Sequence, residues 1–114
     1  MAAPRHIYVA GPISSDPMGG ARRAMEAGAE LMAGGLVPFV PHLSILWEIS
    51  HPRSYEEWMS WDFAWLSRCD ALYRVPGKSS GADREVEFAR ELGIPVFFEV
   101  VEAVAWARGE KGAA

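Results

Sequence analysis

The sequence predicts an α/β fold: one small domain with a parallel sheet of four to five strands and helices on both faces. Three observations carry this expectation. Four short apolar, β-prone runs alternate with longer segments of helical spacing along the 114 residues. Three of the four runs stop at Gly or Pro, as a strand passing into a loop does. Strands that are apolar throughout, with helices between them, belong to parallel sheets covered on both faces and joined by right-handed crossovers.

The first run is His6-Ile7-Tyr8-Val9-Ala10, stopped by Gly11-Pro12. The loop 11–20 is rich in Gly, Pro and Ser, and Ala21 to Ala33 follows as a helix. That helix carries Met25, Ala29 and Met32 at helical spacing and ends at Gly34-Gly35. Leu36-Val37-Pro38-Phe39-Val40 is the second strand, placed at a sheet edge because Pro38 has no N–H to give a ladder. Pro41 to Ser50 reads as a loop with one or two helical turns. Ser54 and Glu57 form a capping box, so a helix runs from there to about Arg68. Ala71 to Val75 is the third strand and stops at Pro76-Gly77. Ser79 or Ser80 caps a helix over Ala82 to Leu92, which Gly93 ends. Pro95 to Phe98 is the fourth strand, Glu102 to Arg108 the last helix, and 109–114 a frayed tail. The layout is Rossmann-like (flavodoxin-like).

Composition narrows the function. Half of the residues are hydrophobic, 23% are charged and the net charge is −4. This fits one domain over residues 1–114, able to bury about two-thirds of its unfolded surface, and excludes a disordered chain. Cys69 is the single cysteine, so no internal disulfide is available. There is no run of ~18 uncharged apolar residues and no signal-peptide layout at 1–10, so the expectation is a cytoplasmic protein with no membrane partner. Without a basic patch, duplex nucleic acid is a poor partner, while a single nucleotide remains open.

In doubly wound sheets ligands bind beyond the carboxyl ends of the strands, which selects the loops 11–20, 41–50 and 76–80. The first loop has neither a dinucleotide fingerprint nor a Walker pattern, and a tight turn alone accounts for its glycines. Trp58, Trp61 and Trp65, three of five tryptophans, fall within a ~60° stripe of their helix, with Asp62 ~40° from Trp58. An acid beside three indoles is either an edge group reaching water or a half-buried carboxyl with a raised pKa, suited to proton donation. Gly77-Lys78-Ser79-Ser80-Gly81 leaves a strand and enters a helix, where N–H groups and the dipole receive an anion. Serine caps and first-turn acids also suit any stable helix. Glu85 falls near that first turn, where the dipole favours its ionised form. His6, His42 and His51 show no metal-ligand spacing, so no metal site is expected. His42 is a possible substrate contact from its loop, and Cys69 reads as a small packed residue.

Taken in order, these segments resemble the nucleoside 2-deoxyribosyltransferase superfamily over about residues 6 to 99. The motifs are Ile7-Tyr8-Val9-Ala10-Gly11-Pro12-Ile13-Ser14, then Val37-Pro38-Phe39-Val40-Pro41-His42, Glu57-Trp58-Met59 through Asp62 to Cys69-Asp70-Ala71, and Ser80-Gly81-Ala82 with Glu85. The 2'-deoxynucleoside 5'-phosphate N-hydrolases share this skeleton. The resemblance implies a nucleophile at Glu85, four residues after Gly81, and an acid at Asp62 before Trp65-Leu66. It also implies a first-strand tyrosine at Tyr8, nucleoside contacts at Gly11 and Ile13, and a phosphate-binding serine at Ser79. Pro12 and Ser14 stand where those hydrolases carry Ser and Arg, a departure from the hydrolase phosphate loop. The carboxyl-terminal residues that a neighbouring subunit donates in the family have no clear match.

The expectation is therefore cleavage or transfer of the N-glycosidic bond of a nucleoside or nucleoside 5'-monophosphate. The expected catalytic residues are Glu85, Asp62 and Tyr8. The expected substrate contacts are Gly11, Pro12, Ile13, Ser14, His42, Lys78, Ser79, Ser80 and Gly81, with the Trp cluster and Trp47 as pocket walls. No metal or organic cofactor is required, and a homodimer or higher homo-oligomer is expected. The alternative is a catalytically silent nucleotide-binding module of the same fold.

Overall fold

A computed structural model describes residues 3–110. Its strands are β1 (His6–Ala10), β2 (Val37–Phe39), β3 (Ala71–Arg74) and β4 (Val96–Phe97). Its helices are α1 (Pro17–Ala33), α2 (Ile45–Ser50), α3 (Tyr55–Leu66), α4 (Ser80–Glu91) and α5 (Val100–Ala107), with a 3-10 turn at Pro41–Ser44. The sheet is parallel throughout, in the order β2-β1-β3-β4. This is the four-strand α/β architecture expected from the alternating pattern. Pro38 sits opposite Ile7 on the edge strand, where its missing N–H costs no ladder bond on the outer side.

Alternation along β1 divides the core. Ile7 and Val9 pack with Ala24, Ala27 and Leu31 of α1, Ala103 of α5, and Tyr73. Tyr8 and Ala10 face the other way, with Leu66 of α3, Leu72, and Ala82, Val86 and Ala89 of α4. The consequence is functional: the polar end of Tyr8 lies on the face that α3 and α4 cover.

Two local expectations are corrected. Helix α1 begins at Pro17 rather than Ala21, because Asp16 caps it, accepting from the Gly19 N–H at 3.2 Å, and Pro17 is pre-set for the first helical position. Its buried stripe is also turned by roughly 100° from the one marked by Met25, Ala29 and Met32, which are exposed. The small residues Ala24, Ala27 and Gly28 turn inward because they let the helix approach the sheet closely. A Cβ on Gly28 would stand 3.0 Å from Val40. The remaining boundaries shift by one or two residues, as fraying ends do. Of the expected frayed tail, 111–114 lies outside the described residues.

Candidate active site

The chain from β1 returns through α1 to β2 on one side, and the chain from β3 runs through α4 to β4 on the other. The carboxyl ends of β1 and β3 therefore form the topological switch point, where such sheets bind ligands. The two loops touch there. A Cβ on Gly11 would lie 2.9 Å from the Val75 Cβ, and one on Gly77 would lie 2.9 Å from the Pro12 ring. Gly77 has φ +122°, a left-handed conformation that suits glycine alone.

Above this point opens a cleft of about 860 Å³. Gly11, Pro12, Ile13 and Ser14 line it from the β1–α1 loop, His42 from the 3-10 turn, and Asp62 from α3. Lys78, Ser79, Ser80, Gly81 and Glu85 line it from the β3–α4 segment. Eleven of the twelve residues singled out in the sequence thus share one cleft. The twelfth, Tyr8, is fully buried beneath it and reaches it through Glu85.

Local signals set these positions. Ser54 and Glu57 complete the capping box: Ser54 Oγ accepts from Glu57 N at 3.1 Å, and Glu57 Oε1 accepts from Ser54 N at 3.2 Å. That fixes the start of α3 and places Asp62 two turns in. Ser79 Oγ accepts from Ala82 N at 3.0 Å and starts α4. Arg74 holds the loop between them. It is buried and donates to the carbonyls of Val75 at 2.5 Å and Gly77 at 2.9 Å, and to Asp83 Oδ1 at 2.9 Å.

The floor of the cleft is a hydrogen-bonded acid cluster. The Tyr8 hydroxyl donates to Glu85 Oε2 at 2.5 Å, and Glu85 is 4% exposed. The Asp62 carboxyl approaches both. Burial, then the charge of Asp62, pushes Glu85 well above the usual carboxylate range, while the Tyr8 bond and Arg74 pull it back only in part. Burial also raises Asp62 to about 6, against hydrogen bonding to Glu85 and Tyr8. Tyr8 itself is pushed up by burial and by the two carboxyls, so it remains a donor.

This corrects one expectation. Glu85 lies in the second turn of α4, beyond the first turn where the dipole acts strongly, and desolvation outweighs the dipole. Two carboxyls in one desolvated site do not both ionise readily. Both carboxyls are therefore biased toward their protonated forms, Glu85 by its deeper burial.

His42 is buried and kept neutral by desolvation. Its Nε2 lies 3.1 Å from the Gly11 carbonyl, so Nε2–H donates and pins the 3-10 turn to the β1 loop. The Trp cluster divides its work. Trp58 lines the cleft, whereas Trp61 and Trp65 pack over Phe39 on the edge strand, and Trp47 meets Trp58 and Trp61 edge-on. Only Trp58 among them is a wall of the main cleft. Trp47 and Trp61 border a separate shallow groove. Burial and Asp70 push the Cys69 thiol up to about 11, which leaves it unreactive. The sequence reading missed Glu48 and Arg74, whose roles arise only from tertiary contacts.

A parallel sheet with a carboxyl pair at its switch-point cleft defines the class of this α/β domain. Within it, residues 5–98 match the family described as "Domain of unknown function (DUF4406)", and the chain belongs to that family. Among solved structures it is similar to the 2-deoxyribosyltransferase of the psychrotolerant bacterium Bacillus psychrosaccharolyticus. The TM-score is 0.58 at 22% identity, over 80% of this chain and 69% of that one. It is also similar to a 2-deoxyribosyltransferase from Leishmania mexicana, with a TM-score of 0.62 at 22% identity, over 82% of this chain and 62% of that one. No curated protein sequence matches it. The fold is that of the 2-deoxyribosyltransferases, as the resemblance implied.

Proposed function

We propose that this chain cleaves or transfers the N-glycosidic bond of a nucleoside or nucleoside 5'-monophosphate, with Glu85 as nucleophile. The observation that carries this reading is the Tyr8–Glu85–Asp62 cluster on the floor of an open cleft. Breaking a C1'–N bond develops oxocarbenium character at C1', which an adjacent carboxylate stabilises or captures. In the proposed step Glu85 carboxylate bonds to C1' as the C1'–N bond breaks. The proton of the pair, carried at that moment by Asp62, passes to the departing base. Water then attacks C1' and yields hydrolysis, or a second base attacks and yields transfer. Tyr8 donates to Glu85 and fixes its plane.

Burial favours the protonated form of Glu85 in the free protein. The reaction needs Glu85 ionised and the proton on Asp62, and the positive charge that grows at C1' beside Glu85 as the bond breaks supplies that bias. Gly11, Pro12, Ile13, Ser14 and His42 form the sugar side of the cleft in this reading. Lys78, the hydroxyl hydrogens of Ser79 and Ser80, the Gly81 backbone and the start of α4 suit a 5'-phosphate, which favours the monophosphate.

Liquid chromatography of free base, after incubation with ribo- and deoxynucleosides and their monophosphates, tests the reading. Base release that disappears in Glu85→Ala supports it, and release that survives removes Glu85 as nucleophile. The burial that opposes ionisation of Glu85 favours the second reading, a binding module without turnover. Thermal stabilisation by nucleotides with no base released from any of them would establish it. The proposal extends to a homodimer or higher homo-oligomer, for which the exposed apolar face around Leu43, Leu46 and Trp65 is the contact. Among the described residues no helix is long and apolar enough to cross a membrane, and a cytoplasmic location remains part of the proposal.

A further inference from the structure

Glu48 lines the same cleft as Asp62 and Glu85 but belongs to α2, a different element from those that carry the two acids. Both hydrogen bonds it receives fall on one oxygen. Its Oε1 accepts from the Arg53 backbone N–H at 2.7 Å and from the Trp58 indole Nε1–H at 2.8 Å. Donors from the α2–α3 link and from α3 thus fix the carboxylate, while Oε2 has no protein donor among the described residues. A half-buried carboxylate, anchored at one oxygen and open at the other, is an acceptor without a partner.

Its place relative to the acid cluster gives it a ligand. Trp58 and Asp62 stand one helical turn apart on α3, ~6 Å of rise, comparable with the width of a nucleobase. In the functional reading above, on which this inference rests, Asp62 serves the nitrogens of the base. Glu48 then meets an outer edge of that base. We propose that Glu48 is a specificity-determining residue whose Oε2 accepts a hydrogen bond from the exocyclic amine of the nucleobase. Cytosine and adenine offer a donor at that edge. Uracil and hypoxanthine set a carbonyl oxygen against the carboxylate, lone pair to lone pair, so the site rejects them as well as favouring the amine. The bonds from Arg53 and Trp58 also hold Glu48 below its ordinary pKa, which keeps it an acceptor across the neutral range.

The test uses the full chain carrying Glu85→Gln, so that bound nucleosides stay intact, and titration calorimetry with matched pairs. Cytidine is set against uridine and adenosine against inosine, each also as the 5'-monophosphate. The amine member is expected to bind at least about tenfold tighter, the value of one charge-assisted hydrogen bond. Adding Glu48→Gln should abolish or reverse the preference, since the amide oxygen stays on the Arg53 and Trp58 donors and turns the NH2 to the base, where it favours a carbonyl over an amine. Glu48→Ala, checked for fold by circular dichroism, should abolish the preference as well. Equal binding with Glu48 in place, or a preference that survives both variants, overturns the assignment and leaves the functional reading standing. Failure of every nucleoside and nucleotide to bind overturns the functional reading and this inference with it.

Discussion

The hydroxyl of Tyr8 and the carboxyl of Glu85 are 77 positions apart in sequence and joined by a 2.5 Å hydrogen bond. Tyr8 is on the central strand β1, and its pleat direction points it at α4. A buried phenol whose pKa is raised keeps its proton over the working range and donates continuously to Glu85 Oε2. That bond favours the ionised form of Glu85 against the burial that opposes it. Tyr8→Phe removes the donor and little volume. We expect kcat for base release to fall about 10- to 100-fold, the worth of one hydrogen bond to a charged group, with KM nearly unchanged. A change confined to KM would place Tyr8 in substrate binding instead.

The acid pair makes stability depend on pH with an unusual sign. Asp62 titrates at about 6 in the folded chain against 3.8 for the free group, so folding takes up protons between those values. Its contribution is fully favourable below about pH 4 and is lost as the pH rises through about 6. Glu85, raised further, extends the loss to higher pH. Asp62→Asn should therefore flatten the decline and raise stability at pH 7 by on the order of 1–3 kcal/mol, measured by urea denaturation at several pH values. His42 contributes the opposite slope. Its lowered pKa makes stability fall as the pH drops below the usual histidine range, and Asp62→Asn should leave that limb in place.

Activity should follow the same pair. With one proton required on the two carboxyls, kcat/KM is expected to rise through about pH 6 and to fall again once Glu85 releases the second proton. Asp62→Asn should cost about 10²–10⁴-fold and hurt poor leaving bases most, since those need the proton. An equal loss for good and poor leaving bases would make Asp62 a positioning residue only.

Arg74 is a buried cation at the end of β3, and its partners are the loop it supports. Replacing it with Met strands the carbonyls of Val75 and Gly77, and should cost about 2–4 kcal/mol. Arg74→Lys keeps the charge but not the fork, so an intermediate loss is expected. If Arg74→Met unfolds at the same urea concentration as the parent chain, the loop does not depend on this anchor.

What the sequence made legible was local. Gly77 and Ser79 announce a turn and a cap through their own conformational preferences, and Ser54 with Glu57 announces the start of α3. The four strands and their helices follow from such punctuation. The convergence of Asp62 and Glu85 was not local, and it came through the resemblance rather than through spacing. Three things were hidden for physical reasons. The buried stripe of α1 is built of Ala and Gly, so weighting by apolar size selected the exposed Met25 and Met32 instead. The bias of Glu85 toward its protonated form depends on how much of α4 the sheet covers, which outweighs the dipole visible from position alone. Glu48 takes its donors from residues five and ten positions on, one of them an indole whose direction only the packed α3 fixes.

The exposed apolar face gives the last prediction. Leu46 is 77% exposed, Leu43 62% and Trp65 47%, and Trp65 stacks on Phe39 of the edge strand rather than entering the cleft. Leu43 borders a groove with Phe39 as well, and apolar side chains so exposed, two of them beside an open sheet edge, favour association over solubility as a monomer. We expect light scattering to give a dimer or a larger assembly. Leu46→Asp, outside the cleft and too exposed to disturb the core, should shift that equilibrium toward the monomer at least tenfold in Kd. Where a neighbouring subunit completes the cleft, base release should fall in parallel with dissociation and recover at high protein concentration. A monomer with unchanged base release would mean that the cleft works alone and that this face serves another purpose.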